Sequence, residues 1–471
     1  MIEQERNLKM QFRPPASFIS VAALLLTAGG TATQAAEPKE DFVRAPAPPG
    51  FQIFVNELEG PVYADAQGRT LYTWPKRTLR NGTAGEDRGK PTCGSQPSRE
   101  SSGTQSPYPG GFIMPEVETR PACTDLWPVA HAPADAKPVG KWTIVTRQDG
   151  SKQWAYEGFP VYTSALDKRP GDVLGATDLG FIGEGGAVRN PIGAEPNVPG
   201  QFRVNTTMAG RLVTLRDGLS VYTFDRDGRN KSNCKDECLS EWEPVLAAAS
   251  ATRVGEWTPF ERSPGILQWS FRGRPVYRYI EDTKRGSQAG SDIPGWRNVY
   301  TQMTPKPPAG FVLKPTIVGM GLGDSKGMTI YRYVCTDDAP DQLSCDTPDS
   351  PQIYRFAVCG GGDPDRCLKA FPYVIAPAGT KTGNQVWGTL LIDPKTGKPA
   401  SADTAGALNV YTFRGRPIYT FAGYKGYGDR KPTDIHANGW GEANGGRNGY
   451  AAIVYRDIFE SRDGFGARSG R

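Results

Sequence analysis

Eight cysteines are the residues most able to do chemistry in this chain of 471 residues. They are Cys93, Cys123, Cys234, Cys238, Cys335, Cys345, Cys359 and Cys367. An even number of cysteines in an exported chain reads as a set of disulfides. The alternative is a redox-active pair, and Cys234 with Cys238 is the closest approach to one. It lacks the two-residue gap of thioredoxin-like sites. Metal chemistry has little to work with, because only His131 and His436 are present and neither has a second histidine at ligand spacing. One oxygen-rich stretch is better placed. Asp225, Asp227 and Asn230 surround Gly228, in part of the pattern by which alternating carboxylates converge on calcium. The closing glutamate of such a loop is missing, so calcium is the one cofactor the pattern could take and none is required. Asp167, Asp227 and Asp282 could serve acid–base chemistry, but they recur at one offset after a tyrosine. That recurrence predicts a structural role, such as capping a turn. Nucleophile-elbow, phosphate-loop and dinucleotide patterns are absent.

The elements that must carry these residues are organised by repetition. GRTLYTW at Gly68, GLSVYTF at Gly218 and GMTIYRY at Gly327 each open a unit. GFPVYTS at Gly158, GRPVYRY at Gly273 and GRPIYTF at Gly415 each close one. In all six a glycine turns the chain, an aliphatic residue faces one side of a strand and a tyrosine the other. The first two units run in one register: Cys123, Trp127, Trp142, Trp154, Tyr162, Asp167 and Gly175 each lie 115 positions before an identical residue. The third follows more loosely, with Phe371 in place of the tryptophan before its closing half.

Glycine (57) and proline (41) are abundant, which favours turns and short strands over helices. The predicted fold is therefore all-β: three tandem, disulfide-stapled antiparallel modules built from Gly-turn hairpins, with short helical turns near the cysteines. Module 1 is expected over 50–190, module 2 over 196–304 and module 3 over 305–460. The repeat pairs Cys93 with Cys123, Cys234 with Cys238 and Cys359 with Cys367, and leaves Cys335 with Cys345. A four-residue spacing is too wide for a disulfide on a regular helix, so Asn233 to Leu239 should be a distorted turn. The tryptophans at alternating positions read as core.

Residues 1–36 read as a signal peptide: Arg6, Lys9 and Arg13 precede an apolar run and small residues ending at Ala35-Ala36. Residues 37–49, charged and proline-rich, read as a flexible lead-in, and 461–471 as a disordered tail. No later stretch has the length of a transmembrane helix. The formal net charge of +5 is small and mixed along the chain, which gives no case for nucleic acid.

The tyrosine and cysteine patterns together resemble a bacterial family described as a secreted repeat of unknown function. Its members are exported proteins, often lipoproteins, with a Tyr-x-(Phe/Trp/Tyr)-x-x-Asp motif. Here the motif is Tyr222, Phe224, Asp227, and again Tyr277, Tyr279, Asp282. Family members continue with Ser, Cys, a gap, Cys and Trp-Pro; this chain has Ser232, Cys234, Cys238 and Trp242, with Glu243 before Pro244. In the first module Arg77 stands where the motif expects the aspartate. The resemblance implies a periplasmic or secreted β-rich repeat protein and no particular activity. The first cysteine is far from the cleavage site, so lipidation does not carry over. The leading expectation is a non-catalytic module binding some envelope protein or glycan. The alternatives are an enzyme or redox accessory with a site between modules, and a calcium-dependent scaffold or adhesion module.

Overall fold

The opening glycine of each unit starts a strand whose tyrosine lies directly opposite the tyrosine of the closing strand. In this computed structural model Tyr72 pairs with Tyr162, Tyr222 with Tyr277 and Tyr331 with Tyr419. The structure describes residues 39–79, 82–100, 117–120, 122–176, 189–316, 319–334, 352, 355–356, 359, 362–422 and 449–457. The signal segment, the tail, Cys335, Cys345 and His436 lie outside them.

Around each tyrosine pair the strand order repeats. In the second module Tyr222–Phe224 lies between Arg274–Tyr279 and Trp296–Asn298, and Ile266–Phe271 adds beyond Arg274–Tyr279. In the first, Tyr72–Thr73 lies between Phe159–Tyr162 and Asn190–Pro191, with Lys152–Tyr156 and Trp142–Thr146 outside. In the third, Tyr331–Val334 lies between Arg416–Tyr419 and Gly449–Ala452, with Leu408–Phe413 and Trp387–Ile392 outside. Every ladder between these strands is antiparallel. A smaller sheet precedes each, built on a hairpin such as Phe202–Thr207 with Gly210–Leu215; in the second and third modules a return strand, Tyr300–Met303 or Val454–Asp457, adds to it. Among the described residues helix is confined to short turns, three of them beside the cysteines: Cys123–Leu126, Asp236–Ser240 and Pro364–Ala370. The modules are thus three versions of one antiparallel design.

Alternation explains the two sides of each large sheet. Leu71, Val161, Trp142 and Trp154 pack on one face, whereas Tyr72, Tyr162, Trp127 and the Cys93–Cys123 bridge pack on the other. The second module divides in the same way. The closing hairpins turn through Glu157-Gly158, Arg272-Gly273 and Arg414-Gly415, all at positive φ. A two-residue turn of that hand matches strand twist, and glycine at the second position makes it affordable for a non-glycine at the first.

The modules interlock. The hairpin turn of the first inserts Leu58 among Trp387, Tyr411 and Phe413 of the third, with Met208 and Ala209 of the second alongside. Glu59 meets Arg414 at 2.8 Å, and Gln302 Nε2 donates to Asn56 O at 2.7 Å. Beyond Asn190–Pro191 the chain stays bonded to the first hairpin: Gly193 bridges Val62, and Ala194 N donates to Pro61 O. The expected flexible lead-in is, over the residues described, tied down. Glu40 is 2% exposed, pairs with Arg211 at 2.9 Å and accepts from Thr301 Oγ1. Phe42 bridges Pro196, and Val43 N donates to Glu195 O. Composition marked this stretch as a linker; a distant arginine gives its one buried acid a partner and overrides that tendency.

Candidate functional site

The motif places an aspartate five residues after each tyrosine, and the structure pairs each tyrosine with the other strand's acid. Tyr222 OH donates to Asp282 Oδ2, and Tyr277 OH donates to Asp227 Oδ2 at 2.8 Å. Two antiparallel strands with their tyrosines abreast send the hydroxyls in opposite directions, so each reaches the turn that ends its neighbour. The acids are further held. Ser287 Oγ and Ala289 N donate to Asp282 Oδ1 at 2.6 and 3.2 Å, and Asn233 N donates to Asp227 Oδ1 at 2.7 Å. Burial pushes both carboxyls above the usual carboxylate range, against the pull of these donors. It pushes the phenols of Tyr222 and Tyr277 up as well, reinforced by the facing carboxylates. Tyr279, the motif's third member, lies against Trp242 at 4.8 Å and donates to Glu281 at 3.1 Å, with its phenol pushed up to about 12 by desolvation first.

The Cys234–Cys238 disulfide abuts this pair. It sits on the short turn Asp236–Ser240, where Asp236 has φ 48°, so the segment is the tight turn that the spacing requires. Arg262 donates to Cys234 O and, at 2.9 Å, to Gln268 Oε1; Gln268 Nε2 in turn donates to Val276 O at 2.9 Å. Trp296 fills the remaining space, stacked on Trp242 at 3.5 Å and on Phe224 at 4.4 Å. Tyr222 and Tyr277 are fully buried and Asp282 is nearly so.

The first module builds the same lock with one substituted part. Tyr72 OH donates to Asp167 Oδ2 at 2.7 Å, and Tyr162 OH donates to Glu86 Oε1 at 2.8 Å. Glu86, not the position of Arg77, takes the place of Asp227. It also accepts from Thr92 N and Cys93 N, as Asp227 accepts from the residue before Cys234. Counting forward from Tyr72 misses Glu86 because the chain makes an excursion after Trp74. Counting back from the cysteine finds it: Glu86 lies seven before Cys93, and Asp227 seven before Cys234. Arg147 and Gln153 repeat the roles of Arg262 and Gln268. Burial pushes Asp167 up to about 7, opposed by the donors Tyr72 OH and Leu174 N and aided by the charge of Asp172. Arg189 occupies the slot of Trp296, its guanidinium 4.2 Å from the Trp74 ring and 4.3 Å from that of Trp127. A small cavity opens there between Tyr72, Trp127, Tyr162 and the Cys93–Cys123 bridge.

The third module departs further. Thr336 and Tyr424 stand where the aspartates would be, and Gln352 lies seven before Cys359. Arg355, 3% exposed, occupies the region beside the tyrosines, donating to Gln352 Oε1 at 2.8 Å and to Tyr373 OH at 2.9 Å. Tyr450 fills the slot of Trp296 and stacks on Phe371 at 3.7 Å. The disulfides Cys93–Cys123, Cys234–Cys238 and Cys359–Cys367 have Cα separations of 5.2, 5.3 and 4.7 Å, as the repeat predicts, and none of the described cysteines is free. The Cys335–Cys345 pair falls outside the described residues.

The calcium candidates are each engaged by protein donors. Both Asp225 oxygens face Arg297, at 2.8 and 2.9 Å; Asp227 is engaged by Tyr277; and Asn230 Oδ1 accepts from Ser270 Oγ at 2.7 Å. Among the described residues no group of three or more His, Cys, Asp or Glu side chains is placed to hold a metal ion. No helix among the described residues is long and apolar enough to cross a membrane.

Two stretches, residues 143–182 and 204–246, match the family model described as a secreted repeat of unknown function. They span the closing half of the first module and the opening half of the second. No curated protein and no solved structure is significantly similar to the chain.

Proposed function

From these two copies of a secreted repeat, we propose that the protein works in the periplasm or beyond it as a non-catalytic module that binds a protein or glycan of the cell envelope. One observation carries the reading. In the first two modules the recurring tyrosines and carboxylates are consumed by one another, so these polar side chains are left no ligand role and contact falls to the turns. Binding proteins of this kind use a rigid frame and variable connections.

The turn after Phe224 is the best-placed contact. Arg226, Arg229, Lys231 and Arg274 are exposed around it. Three of these side chains are held: Arg226 lies over the Phe224 ring at 4.7 Å, Arg229 packs on Gly273, and Arg274 reaches Asp225 O at 3.4 Å. Guanidinium groups fixed in advance suit carboxylate- or phosphate-bearing partners. The test is co-sedimentation of the oxidised protein, lacking residues 1–36, with isolated envelopes and with murein sacculi. Saturable binding that falls at least tenfold in an Arg226→Glu, Arg229→Glu, Arg274→Glu variant supports the reading. Absence of saturable binding to either fraction, or binding indifferent to the charge reversal, refutes it.

A further inference from the structure

In the first two modules a guanidinium donates to a backbone oxygen of the bridged cysteines: Arg147 to Cys93 O and Arg262 to Cys234 O. In the third module the guanidinium reaches sulfur. Arg355 Nη1 is 3.6 Å from Cys367 Sγ, and Tyr450 OH is 3.6 Å from the same atom and 3.4 Å from Cys359 Sγ. The remaining hydrogen-bond partners of Arg355 among the described residues, Gln352, Tyr373 and Tyr450, are neutral. The rings of Phe356, Tyr373 and Tyr419 lie 4.6, 5.5 and 5.5 Å from its guanidinium carbon. Quadrupoles and hydroxyls offset only part of the cost of burying a cation that has no anion beside it among the described residues. A thiolate at Cys367 would supply that anion. Stabilising the reduced form of a pair is what makes its disulfide oxidising.

We propose that Cys359–Cys367 is a thiol–disulfide exchange site whose co-substrates are exported dithiols. The two sulfurs are unequal, for Cys367 is fully buried and Cys359 only half so. An incoming thiolate therefore attacks Cys359 Sγ. The Cys359–Cys367 bond breaks, and its electron pair leaves on Cys367 Sγ, where Arg355 and Tyr450 hold it. A mixed disulfide now joins the co-substrate to Cys359. The co-substrate's second thiolate attacks its own sulfur in that bond, closes a disulfide and releases Cys359, which takes up a proton. The dithiol has lost two electrons and two protons; the protein has gained two electrons, one proton rests on Cys359 and the other goes to solvent. The exchange is confined to the third module; the non-catalytic reading is kept for the binding surface of the second, and either can fail without the other.

The test equilibrates the protein, lacking residues 1–36, in dithiothreitol buffers of graded poise. An alkylating agent traps the free thiols, and peptide mass spectrometry reads each pair. Cys359–Cys367 should open at a dithiol-to-disulfide ratio at least tenfold below that needed by Cys93–Cys123 or Cys234–Cys238. Arg355→Gln should raise the ratio for this pair at least tenfold, equivalent to about 30 mV for a two-electron couple. Tyr450→Phe should shift it the same way by a smaller factor, which keeps the test decisive if the arginine variant does not fold. Thiolate absorbance of the reduced protein should titrate below the ordinary thiol range. Opening of Cys234–Cys238 first, or an unchanged ratio in the folded variants, overturns the proposal.

Discussion

Replacing Asp167 with asparagine should remove a specific component of the pH dependence of stability. Asp167 is 7% exposed, and its carboxyl is raised from 3.8 to about 7, chiefly by burial. A carboxyl that binds its proton more tightly when folded makes the native state the better proton acceptor between those two values. Stability from this group is thus fully present below about pH 4, falls as pH rises, and levels off above about pH 7. At ~1.4 kcal/mol per pH unit the ceiling is about 4 kcal/mol. Asparagine keeps an oxygen for the Tyr72 hydroxyl and cannot ionise. Any cost of its NH₂ facing Leu174 N is independent of pH, so only the slope is read. The assay is urea unfolding followed by tryptophan fluorescence, at intervals from about pH 4 to pH 8, for both proteins. The stability of the wild type minus that of Asp167→Asn should fall through this range, and the contributions of Asp227, Asp282 and Glu86 cancel in the difference. A flat difference would show that Asp167 titrates at an ordinary value. A rising one would show that its hydrogen bonds outweigh its burial.

Tyr277→Phe leaves Asp227 with one donor fewer and should cost roughly 1–3 kcal/mol in urea unfolding; in a double-mutant cycle with Asp227→Asn the two losses should be clearly less than additive. Glu40→Ala strands Arg211 in its partly buried site and should cost roughly 3–5 kcal/mol, which a thermal melt will register; a loss within noise would return this segment to a loose lead-in. Because Asp225, Asp227 and Asn230 are each engaged by protein donors, melts in calcium and in EDTA should superimpose, and a calcium-dependent rise in Tm would restore the cation-binding reading of that turn.

Local chemistry made the frame legible. Glycine before each tyrosine strand, alternation such as Leu71 against Tyr72, and the 115-residue register all act over a few residues or repeat outright. They foretold antiparallel hairpins and the three described disulfides. The cross-pairing of Tyr222 with Asp282 was hidden because it is set by strand register between segments about sixty residues apart, whereas the motif suggests a local partner. Glu86 was hidden by an excursion that breaks the count from Tyr72. The slot shared by Arg189, Trp296 and Tyr450 carries no common residue type: a guanidinium, an indole and a phenol solve one packing problem, a flat group between two rings. The docking of Glu40 depends on an arginine in another module, which composition does not reveal.

The position seven residues before each module's first lock cysteine ties these observations together. It holds Glu86, Asp227 and Gln352. In the first two modules the acid engages the closing tyrosine, and the nearby arginine is satisfied by a glutamine and a backbone oxygen. In the third the acid is gone, and a guanidinium has moved inward until it touches sulfur. If the missing charge is what tunes that sulfur, restoring it should undo the tuning. Gln352→Glu would place a carboxylate 2.8 Å from Arg355 Nε and neutralise the cation before any thiolate forms. The oxidised protein should then be the more stable of the two proteins toward urea, and Cys359–Cys367 should require a several-fold higher dithiol ratio to open. A carboxylate that stabilised the fold without changing that ratio would mean that Arg355 serves packing alone.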